Sequence, residues 1–210
     1  MIIFFMLQNL KNLALSDILD IEKIKAVSHS IEKAHGLPNE CYTSSNYLKY
    51  EREKVFNDKW IVIGVGSSVP KSGDAKPYNL LGIPLIIIRD KKKKIRVFHN
   101  VCSHRGFKLL DEPCSLKNTL RCPYHSWSYS FEGELVVTPH IAGLNIHESE
   151  KFDKSKSNLK EVRSEVWMDM IFVNINNNEI EFSKYIKPLE DRWSKFISKE
   201  DQNLLVHSND

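Results

Sequence analysis

The 210-residue sequence has little of most features that announce a class of protein. Lysine and arginine outnumber aspartate and glutamate by only 30 to 27, and a formal charge of +3 is too small to argue for a nucleic-acid partner. The apolar start, Met1–Leu7, is seven residues long, against about 20 for a membrane-spanning helix. It also lacks the basic start and small-residue cleavage site of a signal peptide. It reads as a segment that packs on the body or on a partner chain, which predicts a cytoplasmic protein with no membrane partner. Repeats of fixed period are absent, which excludes a solenoid. There are four cysteines, at positions 41, 102, 114 and 122. Without a secretory signal these do not read as a disulfide framework. Cys41 and Cys114 are expected to be small buried hydrophobes.

What is present is concentrated between Cys102 and Gly133. The stretch reads C-S-H-R-G-F, then a loop, then C-P-Y-H-S-W-S-Y. Cys102 and His104 are separated by one residue, Cys122 and His125 by two, and seventeen residues lie between the pairs. Two cysteines and two histidines arriving as mixed pairs are the donor set of a Rieske [2Fe–2S] centre, in which two histidines replace two cysteines on one iron. Structural zinc is the second reading, although its paired donors usually stand two to four residues apart. On an extended chain, residues i and i+2 point the same way about 6.6 Å apart, which suits two neighbouring metals better than one. Buried thiols and hydrogen-bonded histidines without metal are the third reading. The flanking Gly106, Pro123 and Trp127 favour the cluster.

C-x-H-R-G followed by C-x-Y-H-x-W-x-Y at this separation resembles the Rieske domain of Rieske non-haem iron oxygenases, the ring-hydroxylating dioxygenases and their relatives, in the large α subunit. Respiratory Rieske proteins carry two further cysteines, which form a disulfide; their places here are Phe107 and Tyr124. Ser126 stands where the family usually has glycine. The resemblance implies that Cys102 and Cys122 hold the inner iron, and His104 and His125 the outer one. It implies an oxidoreductase acting with O₂, fed by a reductase or ferredoxin, with a homotrimeric full-length protein. It also implies a mononuclear Fe(II), held by two histidines and a carboxylate, in a catalytic half downstream. None of His140, His147 and His207 has that pattern around it. The chain is therefore expected to be the N-terminal, electron-relay portion of an α subunit, a fragment or split-gene product, inactive alone and without catalytic residues of its own. The mononuclear iron is expected only in the missing C-terminal half, and the substrate is expected to be aromatic or a related organic compound. A stand-alone Rieske ferredoxin and a zinc-stabilised interaction module are the alternatives.

The expected fold is mainly β: a Rieske iron–sulfur domain of antiparallel sheets, with N-terminal helices and a C-terminal helical start of a catalytic domain. The expected division is a lead-in over 1–40, the Rieske domain over 41–176 and the start of the catalytic domain over 177–210. Ser16 is the expected cap of a helix over 17–34, and a second helix should run from Ser44 or Ser45 to about Asp58. Strands are expected at 61–65, 79–81, 85–89, 95–99, 129–131, 134–137, 159–165 and 170–175. The run Leu85–Ile88 is apolar on both faces, as in a buried strand. Asp90–Lys94 should form a hairpin tip, its four lysines solvated or available to an acidic donor. A helix over 181–198 should break near Lys187, before Pro188, and Leu204–His207 should begin another strand.

Overall fold

The computed structural model describes residues 14–196. The expectations for Met1–Leu7, Leu204–His207 and His207 itself lie outside the described residues. The chain divides into two compact units, one ending at Lys59 and the other beginning at Trp60.

The first unit is made of short helices. Helix α1 (Ile21–Val27) is capped by Asp20, whose carboxylate accepts the Glu22 N–H at 2.9 Å. This corrects the longer helix expected from Ser16, since Leu15–Asp17 is a separate 3-10 turn. The sequence Ser28-His-Ser30 ends α1 because short polar side chains compete for the backbone. Ile31, which fits the helical period, is 89% exposed. Helix α2 (Glu40–Thr43) leads to α3 (Ser45–Glu51), whose cap Ser44 accepts the Tyr47 N–H at 3.2 Å. The chain then widens into a π-helical turn over Arg52–Phe56.

The second unit is built on a seven-stranded sheet. Its strands are β1 (Ile61–Val65), β2 (Asp74–Leu80), β3 (Ile83–Arg89), β4 (Ile95–His99), β5 (Cys114–Ser115), β9 (Glu161–Trp167) and β10 (Met170–Asn174). All pairs are antiparallel, in the order β1-β10-β9-β4-β3-β2-β5. A three-stranded sheet, β6 (Leu120–Arg121), β7 (Ser128–Tyr129) and β8 (Leu135–Val137), carries the second ligand loop. The front of β2 escapes a sequence reading because Pro77 speaks against a strand. Here β5 pairs only with Asp74 and Ala75, so Pro77 has no strand on that side to donate to.

Strand β3 separates two cores, as its apolar run foretells. Ile86 and Ile88 pack with Phe98, Leu120, Trp127, Tyr129 and Phe131 around Cys102 and Cys122. Leu85 and Ile87 pack on the other face with Ile63, Val97, Ile171 and Val173. Each such side chain contributes about 1.5–3 kcal/mol by leaving water. Gly133, at φ +89°, turns β7 into β8, and a Cβ there would stand 2.4 Å from the Phe98 ring.

Helix α4 (Phe182–Trp193) runs through Pro188 without the expected break. It is held on both sides of the proline: Phe182 packs edge-on to Trp60 at 5.1 Å, and Trp193 meets Trp167 at 5.6 Å. These contacts offset the hydrogen bond that proline removes. Cys114 is exposed and Cys41 half-buried, which corrects the expectation that both are buried. The two fill no core.

Candidate metal centre

Two loops bring the four sequence-selected donors together. The first follows β4. Its root is Asn100, fully buried, whose side chain accepts the N–H groups of Leu109 (3.1 Å) and Leu110 (3.0 Å) and donates to the Leu110 carbonyl (2.6 Å). The loop closes on itself: Cys102 N–H donates to Phe107 O at 2.8 Å, and Gly106 N–H to Cys102 O at 2.9 Å. The second loop joins β6 to β7. There Cys122 N–H donates to Trp127 O at 2.8 Å and Ser126 N–H to Cys122 O at 3.0 Å.

Both cysteines are buried in the same apolar cluster, and each thiol is felt by the other. The His104 and His125 rings meet at 4.8 Å, edge to face. Trp127 stacks on His104 at 4.5 Å, with 10° between the planes. Tyr124 lies 3.7 Å from His125 and Phe107 5.4 Å from Tyr124. The buried Nδ1 of His125 has no hydrogen-bond partner. An orphaned imidazole nitrogen beside two buried thiols costs free energy unless something occupies the space between them. Two thiols and two imidazoles are the set an iron–sulfur centre of this type needs, so the residues present fit the cluster. Among the described residues no three His, Cys, Asp or Glu side chains converge on a single ion.

The electrostatics suit ligation. Burial, helped by the charges of His125 and Arg105, lowers the pKa of His104 and keeps its imidazole neutral. Burial pushes the Cys122 thiol up, while hydrogen bonds from the Tyr124 and His125 backbone N–H groups pull it back. Metal binding must therefore displace thiol protons, and the same two N–H groups then stabilise the thiolate.

Sequence reasoning missed Tyr129. Its hydroxyl lies 3.1 Å from Cys102 Sγ and 2.8 Å from Ser103 Oγ, and accepts the Ser103 N–H at 3.1 Å. Ser103 Oγ donates to the Ser157 carbonyl. That uses its only proton, so Tyr129 must donate to Ser103 while a neutral Cys102 thiol donates to Tyr129. Once Cys102 is a thiolate it cannot donate, and the Tyr129 proton turns toward the sulfur. Burial first, and the Cys102 bond second, raise the Tyr129 pKa, so this proton is retained. The period-2 pattern could have flagged Tyr129 as inward-facing, but nothing local pairs it with a residue 27 positions away.

The remaining candidates are structural. His140 and His147 are exposed, and each Nδ1 accepts a backbone N–H, from Asn145 at 2.8 Å and from His140 itself at 3.1 Å. The lysine tip is organised by buried Asp90, which accepts the N–H groups of Lys92 and Lys94 and pairs with Arg96. The length of β4, roughly 16 Å, separates that tip from the first ligand loop. No helix among the described residues is long and apolar enough to cross a membrane.

The family model described as "Rieske [2Fe-2S] domain" matches residues 59–148. The carnitine monooxygenase oxygenase subunit of Acinetobacter pittii (strain PHEA-2) is 33% identical over 141 residues, covering 67% of this chain and 37% of that protein. The 2-aminobenzenesulfonate 2,3-dioxygenase subunit alpha of an Alcaligenes species is 30% identical over 158 residues, covering 75% and 39%. Among solved structures, the apo form of a quaternary ammonium Rieske monooxygenase matches with a TM-score of 0.67 and 29% identity, over 76% of this chain and 45% of that one. Naphthalene 1,2-dioxygenase from Rhodococcus sp. matches with a TM-score of 0.70 and 25% identity, over 82% and 38%. The chain thus spans less than half the length of these relatives. Residues 59–148 thus match a Rieske [2Fe–2S] domain, whose cofactor is a [2Fe–2S] cluster, and the chain is similar to part of the α subunits of Rieske oxygenases.

Proposed function

We propose that this chain is the electron-relay portion of an oxygenase α subunit, with Cys102 and Cys122 holding the inner iron and His104 and His125 the outer one. When bound, the cluster takes up and passes on one electron, at a potential raised because two neutral imidazoles replace two thiolates. The chain's own residues do the rest. Asn100 and the loop-closing hydrogen bonds fix where the cysteines stand. The Tyr124 and His125 N–H groups and the Tyr129 hydroxyl aim donors at the sulfurs and so favour the more negative, reduced state. The observation that carries this reading is two buried thiols and two imidazoles, one of them with an orphaned buried Nδ1, brought together from loops twenty residues apart in sequence.

The wider reading follows the relatives. The donor is a reductase or ferredoxin, the acceptor is a mononuclear iron in the part of the relatives that this chain does not match, and the full-length protein is a homotrimer in the cytoplasm. The functional division is a lead-in over 1–40, the relay domain over 41–176 and the start of a catalytic domain from 177. The oxidised substrate is organic. The relatives' names divide between quaternary ammonium compounds and aromatic rings, and the aromatic class expected from the sequence stands as one of these two. The chain by itself is expected to relay electrons and to oxidise nothing.

Anaerobic reconstitution followed by iron and acid-labile sulfide analysis tests the relay reading. We expect two of each per chain, a visible absorbance and a reduced-state paramagnetic signal. Stoichiometric zinc in a colourless protein would refute it, as would substrate oxidation by the loaded chain alone.

A further inference from the structure

We propose that Phe107 and Tyr124 form an aromatic clasp across the mouth between the two ligand loops, which holds the His125 ring in its ligating orientation and sets how fast the cluster is lost. The proposal rests on the ligand assignment above and adds a positioning role for two residues outside it.

The argument starts from how the loops are joined. The backbone bonds that close each loop run within that loop. What ties one loop to the other is side chains, and these fall on two sides. On the inner side Tyr129, fully buried, reaches Cys102, and Trp127, 4% exposed, stacks on His104. The surrounding core therefore fixes His104. On the outer side stand Phe107 and Tyr124, 43% and 54% exposed, with ring centroids 5.4 Å apart and 38° between their planes. Tyr124 in turn covers His125 at 3.7 Å. His125 thus leans on a ring that is half in water, and that ring is steadied by a residue of the opposite loop.

The buried, unpartnered Nδ1 of His125 is the nitrogen that faces the donor site, so the contact that steadies the ring has to act on its other surfaces. Ligand imidazoles are ordinarily held in register by a contact beyond the metal. Packing against Tyr124 supplies such a restraint here, and Phe107 keeps Tyr124 in place. Two half-exposed aromatic rings touching at this distance are worth roughly a three- to tenfold effect in an equilibrium they favour. An outer-iron ligand that swings away opens the cluster to solvent and to chelators, so the clasp should act on the loss rate.

The test uses the reconstituted chain and the variants Phe107→Ala, Tyr124→Ala, the double variant and Tyr124→Phe. Bleaching of the visible absorbance by an iron chelator gives the loss rate. The reduced-state paramagnetic spectrum reports the outer-iron geometry, and melting of the chain reports the fold. Each alanine variant is expected to lose its cluster roughly three- to tenfold faster, with a broadened spectrum and a melting temperature close to that of the unmodified chain. The double variant should be no faster than the faster single one, because both remove one shared contact. Tyr124→Phe should keep the original rate and spectrum. Unchanged rates, effects that multiply in the double variant, or a Tyr124→Phe as fast as Tyr124→Ala would overturn the clasp while leaving the ligand assignment standing. A chain that takes up no iron or sulfide overturns both.

Discussion

The two ligand loops share a backbone plan and differ in what fills it. In each, the cysteine N–H bonds to the carbonyl five residues on, at 2.8 Å, and the N–H four residues on returns to the cysteine carbonyl. In each, that fourth residue has a left-handed backbone, Gly106 at φ +69° and Ser126 at φ +61°. The plan presents two sulfurs alike. The histidine, however, stands two residues after the cysteine in the first loop and three after it in the second. The aromatic residue at the end is exposed in the first (Phe107) and buried in the second (Trp127). The roots differ as well, a buried asparagine for one loop and a two-stranded ladder for the other. A common frame thus sets the thiolates, while the substituents decide how firmly each imidazole is held.

The largest effect should show the two loops to be equivalent. Cys102→Ala and Cys122→Ala should each abolish iron and labile sulfide and weaken the fold around both loops, since metal binding and folding are coupled. A full spectrum in either variant would break the equivalence. The roots should then separate the loops. Asn100→Ala leaves two buried N–H groups and a carbonyl unpaired, at about 2–3 kcal/mol, so the melting temperature should fall by roughly 5–10 °C. No comparable side chain supports the second loop, and a shift below about 2 °C would remove this distinction. Tyr129→Phe keeps the volume and deletes the hydroxyl next to Cys102. If that bond is about 1 kcal/mol stronger to the reduced cluster, the potential should drop by roughly 40 mV; voltammetry showing no drop would mean the proton points at Ser103 instead.

The pH response is another difference between the roots. His99, at the end of β4, has its pKa lowered by burial and secondarily by Lys160. The unfolded chain therefore binds the proton more readily than the folded one. The stability is complete above the ordinary histidine value of about 6.5 and is lost as pH falls through it toward the depressed folded value. His99→Gln should flatten this part of the stability profile, and an unchanged slope would show that the loss arises elsewhere. The smallest effect is the exchange of the two left-handed residues. Gly106→Ser should cost about 1 kcal/mol from backbone strain alone, because a Cβ there meets nothing within 4 Å. Ser126→Gly should be stabilising or neutral within about 1 kcal/mol, since it relieves that strain and gives up an exposed bond from Arg121 at 2.6 Å. Denaturant titration of both would show whether the frame tolerates the exchange.

Much of this centre is legible in the sequence because its donors come in local pairs. Spacings of two and three residues are set by the chain itself, so Cys102, His104, Cys122 and His125 could be proposed as donors before any fold was known. The same holds for the strand pattern of Leu85–Ile88, the turn at Gly133 and the Ser44 cap, each of which rests on near neighbours. Only the tertiary structure could reveal Tyr129 on Cys102, Ser157 behind Ser103, or Trp60 and Trp167 bracing a helix through Pro188. Those contacts span tens of residues and depend on sheet register and side-chain packing, which a local window does not contain. Local chemistry selected the candidate donors, and long-range burial decided what surrounds them, because hydrogen bonds and ring contacts at a distance form only once the core has closed.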